Sequence, residues 1–280
     1  MFIPRHWIRA RRRVTRPDGQ EIEVTAWGWS ANDPQEAERK AEERLATLAA
    51  RAEAGDAYPE RYPYGARPLR EEIVEEVRSG NDVAGIVTRN GYGALVLNAR
   101  QALFIDVDRP ETPGPGLLGR LFGKPASAGD DAALTRIRDA LRAASDASFR
   151  IYATAGGYRV LATDPIFEPG QPPAESLMAA TGADPMFIQL CRAQRSFRAR
   201  LTPKPWRCGA RVPPGQHPRE DGEAQGEFAR WLDTYERACA GKAVCRLVDE
   251  VGWHRVQAEI RPILERHDEV TRVNEPLPLA

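Results

Sequence analysis

The stretch Leu103-Phe104-Ile105-Asp106-Val107-Asp108 sets the strongest limit on what this chain can fold into. It is an apolar run that ends in two aspartates one residue apart. Alternate side chains of a β-strand share a face, so Asp106 and Asp108 project together from a strand whose other face is apolar. Two carboxylates so close repel unless a cation joins them, and such a pair presents oxygen ligands to Mg²⁺ or Mn²⁺. The plainer reading is a charged strand end whose carboxylates pair with nearby arginines such as Arg109 and Arg150.

The segments around this strand predict a sheet. Upstream lie two β-prone runs, Val83 to Thr88 and Ala94 to Leu97, joined by Asn90-Gly91-Tyr92-Gly93, with a short helix expected before them at Leu69 to Val77. Downstream, Asp131 to Ala144 has helical spacing at Leu134, Ile137 and Leu141. A hairpin follows, in which Phe149 to Thr154 and Tyr158 to Thr163 flank Ala155-Gly156-Gly157. Strand, helix and hairpin in this order predict a split β-α-β sheet with a ligand groove on the face away from the helix.

This succession resembles the catalytic core of the archaeo-eukaryotic primase superfamily. The resemblance covers about sixty residues and rests on Phe104-Ile105-Asp106-Val107-Asp108, the helix, and Thr154-Ala155-Gly156-Gly157-Tyr158-Arg159-Val160. It implies that Asp106 and Asp108 match the family's metal-binding pair. It also implies that Thr154 and Arg159 stand near the family's serine or threonine and its nucleotide-binding histidine. Arginine replaces that histidine here, and only Asp164 and Asp184 are candidates for a third carboxylate. An arginine still holds a triphosphate in a two-point grip and stays charged at any working pH.

The first fifty-odd residues predict a separate ββα unit. Trp7 to Thr15 and Glu21 to Trp29 flank Pro17-Asp18-Gly19, and Asp33-Pro34-Gln35-Glu36 opens a helix with Ala37, Ala41, Leu45 and Leu48 on one face. Arg9, Arg11 and Arg13 share one face of the first strand. That face either meets phosphate or is a solvated surface balanced by acidic residues such as Glu21 and Glu23.

The most positive local field lies further on. Arg192, Arg195, Arg198, Arg200, Lys204 and Arg207 alternate with Phe197 and Trp206, and no acidic residue occurs from Arg192 to Arg219. Cations interleaved with aromatics suit phosphate contact and base stacking, although pairing with carboxylates elsewhere accounts for the same charges. Around this stretch, Ala183 to Cys191 and Phe197 to Leu201 read as strands, Glu227 to Ala240 as a helix with a core stripe, Val244 to Val251 as a strand or helix, and Ala258 to Arg266 as a last helix.

Composition narrows the function classes. Forty basic and forty acidic residues give no net charge, so a nucleic-acid partner must be met by a local patch. No apolar run is long enough to span a bilayer, the N-terminus lacks the apolar core of a secretory signal, and four scattered cysteines fit reduced thiols in the cytoplasm. Cys239, Cys245, His254 and His267 match no standard zinc spacing, and His267-Asp268 lacks placeable partner histidines for a phosphohydrolase centre. The Gly116 to Lys124 patch reads as a flexible insertion, too short for stable membrane binding.

The expectation is an α+β protein: a ββα unit at 1–54, a linker at 55–68, a mainly antiparallel sheet domain at 69–212 with helices on one face and a flexible loop at 110–130, and a mainly helical part at 213–280. Asp106 and Asp108 are the candidate catalytic, metal-binding pair, and Thr154, Arg159, Arg198, Arg200 and Lys204 the candidate phosphate ligands. The implied activity is Mg²⁺- or Mn²⁺-dependent nucleotidyl transfer with a nucleoside triphosphate or nucleic acid as partner. The alternative is a non-catalytic protein that binds nucleic acid or a phosphorylated ligand on a basic sheet face. A metal-dependent sugar-nucleotide transferase ranks third.

Overall fold

The computed structural model describes residues 1–56, 67–109, 128–144 and 146–280. Most of the expected linker and loop, including the Gly116 to Lys124 patch, lies outside them. The chain forms two compact units, Phe2–Ile73 and Val74–Ala280, the latter with Met1.

The smaller unit is the expected ββα fold. Strands β1 (His6–Thr15) and β2 (Glu21–Ser30) pair antiparallel from His6 opposite Ser30 to Thr15 opposite Glu21. The turn between them needs Gly19, whose φ of +81° lies in the left-handed region. Helix α1 (Pro34–Glu53) starts where Asp33 accepts a hydrogen bond from the Gln35 N–H at 2.9 Å, and it buries Ala37, Ala41, Leu45, Ala49 and Ala52 on the hairpin. The basic face of β1 is partly screened from within the unit. Arg9 lies 5.6 Å from the Trp27 ring centre, and an Arg11 Nη1 to Glu23 Oε1 contact spans 3.9 Å.

The larger unit is built on two four-stranded sheets where the sequence predicts one. The first has the order β10-β7-β8-β6: β6 (Phe104–Asp108), β7 (Ser148–Thr154), β8 (Gly157–Asp164) and β10 (Cys245–Gly252), all neighbours antiparallel. The second has the order β3-β4-β5-β9: β3 (Glu72–Ser79), β4 (Asp82–Arg89), β5 (Leu95–Ala99) and β9 (Phe197–Arg200). Helix α2 (Ala128–Arg142) packs on β10 and on α3 (Pro172–Thr181), α3 on β6, and α6 (Arg261–Thr271) on β8 of one sheet and β4 of the other. A single apolar core joins the sheets, with Val87, Leu97 and Phe197 from one and Phe104, Ile105 and Val160 from the other. The result is the expected α+β class with antiparallel sheets.

Two segments differ in kind from their expected structure. Leu69 to Val77 is not a helix; β3 occupies most of it as the edge strand of its sheet, with Glu72, Glu75 and Glu76 half-buried and Glu75 paired with Arg266 of α6 at 2.5 Å. Ala183 to Cys191 is not a strand but holds most of helix α4 (Pro185–Gln194), which Asp184 caps by accepting from the Met186 N–H at 2.8 Å. A cap followed by proline at the first helical position outweighs the short apolar run after it. Helix α5 (Gly222–Cys239) begins a turn earlier than expected because Asp221 caps it through the Ala224 N–H. Val244 to Val251 resolves to strand β10, which adds to the edge of β7.

Candidate functional site

The site forms where the end of β6 meets β8 and β9. The β6–β8 ladder sets Asp106 opposite Arg159 and Asp108 opposite Gly157. Gly157 is required for space, because a Cβ there would collide with the Val107 carbonyl oxygen across the ladder. Arg159 then fills the seam between the sheets with its side chain only 1% exposed. Its Nε donates to Asp106 Oδ1 at 2.7 Å, its Nη2 to Asp106 Oδ2 at 2.9 Å, and its Nη1 to the Arg200 carbonyl oxygen on β9 at 2.8 Å. One guanidinium therefore ties together three strands from two sheets.

The ion pair sets the local charge states. Burial pushes the Asp106 carboxyl up, but the adjacent Arg159 charge and hydrogen bonds outweigh this and hold it below the ordinary carboxylate range. Burial alone would depress Arg159, and Asp106 more than reverses that. Behind the guanidinium sits fully buried His267 of α6, its ring centre 5.2 Å from that of Phe104 and 4.9 Å from that of Tyr152. Burial lowers its pKa below the usual imidazole value. The neutral ring, with its proton on Nδ1 toward Asp268 Oδ1 at 2.8 Å, turns an Nε2 lone pair toward Arg159 Nη1 at 3.4 Å. Cys245 Sγ lies 3.8 Å from the same nitrogen, and burial pushes its thiol up to about 11, which makes it an inert neighbour.

Three further cations face this pair. Burial and the neighbouring Arg159 lower the Arg200 pKa, and Arg200 Nη1 is buried with no hydrogen-bond partner among the described residues. Lys204 is likewise depressed by burial and by the charges of Arg200 and Arg207. The Arg207 guanidinium reaches the hairpin turn. An ideal Cβ on Gly156 would stand 3.2 Å from Arg207 Nη2 and 3.8 Å from Asp108 Oδ1. Arg159, Arg200, Lys204 and Arg207 thus gather around two carboxylates, one of which Arg159 already neutralises.

The other expected site residues fare differently. Thr154 closes β7, and its Oγ1 accepts from the Gly156 N–H at 3.4 Å, so it braces the turn. Arg198 is 8% exposed and donates to the Asn98 side-chain oxygen opposite it in the β5–β9 ladder, which directs it into the second sheet. Of the expected phosphate ligands, Arg159, Arg200 and Lys204 come together and Arg198 does not. The plainer reading, a strand-end carboxylate paired with an arginine, holds for Asp106, but the partner is Arg159 and not the arginines named for it: Arg150 bonds Glu250 at 2.8 Å and Asp268 at 3.0 Å, and Arg109 lies over Tyr158.

A divalent metal fits this donor set poorly. Both Asp106 oxygens are engaged by Arg159, and no group of three or more histidine, cysteine or acidic side chains suited to a metal occurs among the described residues. Asp164 lies at the other end of β8, where it pairs with Arg255 at 2.6 Å, and Asp184 caps α4. Neither supplies a third carboxylate. The residues weighed for zinc are also separate: Cys239 lies against Cys208 at 3.8 Å, Cys245 against His267, and His254 against Glu250 at 3.4 Å.

Sequence reasoning weighs Arg207 only within the basic stretch, Cys245 and His267 for zinc, and His267 for a phosphohydrolase centre, and places none of the three beside the aspartates. Arg207 belongs to the recognised basic stretch, but only the return of that stretch to the hairpin turn makes it part of the site. No family model, curated protein or solved structure matches the chain.

Proposed function

We propose that this protein binds the phosphate groups of a ligand at the seam between the two sheets of its larger unit, and does so without turnover. The reading rests on Arg200. The half-buried Arg200 side chain has its Nη1 closed off from solvent with no hydrogen-bond partner among the described residues, which costs stability, and a phosphate oxygen would supply the missing acceptor and charge once neighbouring side chains move to admit it. Lys204 and Arg207 add positive field beside it, and Arg159 is held in place by Asp106. The site is then an anion site made from residues that also join the sheets. Four free thiols fit the reducing, cytoplasmic setting expected for such a protein.

Nucleotidyl transfer is the second reading, favoured by the adjacency of Asp106 on β6 and Arg159 on β8, which matches the arrangement implied by the primase resemblance. It requires Asp106 to release Arg159 and leave a fully buried cation unpaired, at a cost of about 3–5 kcal/mol. The phosphate-binding reading needs no such step.

Calorimetric titration of inorganic pyrophosphate into the full chain, with and without Mn²⁺, separates the two. The expected result is saturable binding that weakens with salt and does not need the metal. Binding that appears only with Mn²⁺ and vanishes in Asp106→Ala would favour nucleotidyl transfer. No binding under either condition would end both.

No helix among the described residues is long and apolar enough to cross a membrane.

A further inference from the structure

Beside the cationic seam stand two aromatic rings that the packing of the core does not use. Trp206 is 52% exposed and Tyr92 53% exposed, and their ring centres lie 5.3 Å apart with planes at 89°. In a T-shaped pair one ring offers its edge, so its own faces stay clear of its partner. Both rings are fixed from below. Trp206 lies in a single 3-10 turn, Pro205–Arg207, whose Pro205 is buried, with the Arg207 N–H bonded to the Lys204 carbonyl at 2.8 Å. Tyr92 lies in the β4–β5 turn, where the Asn90 side chain accepts from the N–H groups of Tyr92 at 3.0 Å and Ala94 at 3.1 Å.

The cations are continuous with the rings. Lys204 Nζ lies 5.5 Å from the Trp206 ring centre, and Arg207, the next residue, reaches Gly156 and Asp108 in the seam. A ligand with phosphate at Arg200 and Arg207 therefore meets an exposed indole at the edge of the same site. Exposed rings flanked by cations suit a flat π-system joined to a negatively charged phosphate.

We infer that the ligand is a nucleotide, free or as a unit of a single-stranded polynucleotide, whose base stacks on the Trp206–Tyr92 pair while its phosphate occupies the seam. This rests on the phosphate-binding reading above. Stacking tolerates any base, so the site selects for a base-bearing phosphate more than for a sequence.

Calorimetry on the full chain with three probes tests this: pyrophosphate, a nucleoside triphosphate and a short oligothymidylate. The expected result is that wild type prefers the base-bearing probes to pyrophosphate, and that Trp206→Ala lowers this preference by roughly ten- to a hundred-fold. Trp206→Phe restores much of it, which a purely structural role would not predict. Position 206 is exposed, and an unchanged thermal midpoint confirms that both variants fold. If pyrophosphate binds as well as the triphosphate and the oligonucleotide, and Trp206→Ala changes no ratio, the nucleobase inference fails while the phosphate site stands. If no probe binds, both fail. A polynucleotide is identified by tighter binding of the oligonucleotide with a steep salt dependence, and a free nucleotide by preference for the triphosphate.

Discussion

Arg159 holds Asp106 through two parallel hydrogen bonds and uses its remaining terminal nitrogen on the backbone of Arg200, so the pair that marks the candidate site also fastens one sheet to the other. Geometry of this kind makes the pair structural first. The phosphate binding we propose would then belong to the cations that the pair positions.

Breaking the pair from the carboxylate side leaves a buried charge. Asp106→Asn is expected to destabilise the protein by about 3 kcal/mol, at the low end of the range for buried pairs because the Asp106 side chain is 37% exposed and partly screened by solvent. Asp106→Leu combined with Arg159→Met should cost less than the two single changes added together, since no unpaired charge remains. Urea denaturation of the wild type and the four variants measures both effects.

The pH dependence of stability has a definite sign. The folded Asp106 carboxyl is held below its unfolded value, roughly 3.9, so its contribution is fully present above that value and is lost as the pH falls through the lower folded one. A thermal midpoint followed down through this acid range should fall in the wild type. Asp106→Asn should show a shallower acid limb from a lower starting point.

The two glycines of the hairpin separate stability from binding. Gly157→Ala drives a methyl group into the Val107 carbonyl and should unpair β6 from β8, with a loss of several kcal/mol. Gly156→Ala crowds the far end of the Arg207 side chain, at 3.2 Å, which can move aside, and makes an ordinary contact with Asp108 Oδ1 at 3.8 Å. Its thermal midpoint should stay close to wild type while pyrophosphate affinity falls.

Thiol chemistry reports on the interior of the site. Burial pushes Cys245 up to about 11 and Cys191 up to about 12, so at pH 8 their thiolate fractions are on the order of a hundred- to a thousand-fold below that of a free cysteine. Both should resist iodoacetamide in the native protein and react once it is unfolded, as peptide mass mapping would show. Rapid native labelling of Cys245 would mean that the packing around His267 and Arg159 is open.

Much of this was legible in the chain because the signals were local. The alternation of Phe149 to Thr163 about its glycine turn, and the apolar run ending at Asp108, define strands that pair with near neighbours. The rest depends on contacts between distant segments. Strand β10 joins β7 across about ninety residues, and β9 completes the second sheet beside β5 across about a hundred, pairings that no short motif encodes. The acidic β3 lies where a short helix was expected, at a sheet edge where Glu75 meets Arg266 about 190 residues away, a partner that local pattern does not reveal. At the site, the two aspartates were legible as a pair but not their environment. Arg159 was placed beside them as a phosphate ligand, and it is instead committed to Asp106; Arg207 and His267 enter only when the 3-10 turn at Pro205–Arg207 and α6 fold back against the hairpin.

The central claim is that the Arg200 guanidinium is kept for a ligand. Its most direct measurement is pyrophosphate affinity together with thermal midpoint for Arg200→Met against wild type. Removing a half-buried cation that lacks a hydrogen-bond partner at Nη1 among the described residues should leave the midpoint unchanged or raise it, while affinity drops by roughly ten-fold or more, as for loss of one charged hydrogen bond. Affinity equal to wild type, or a midpoint that collapses, would contradict the account and make Arg200 part of the framework alone.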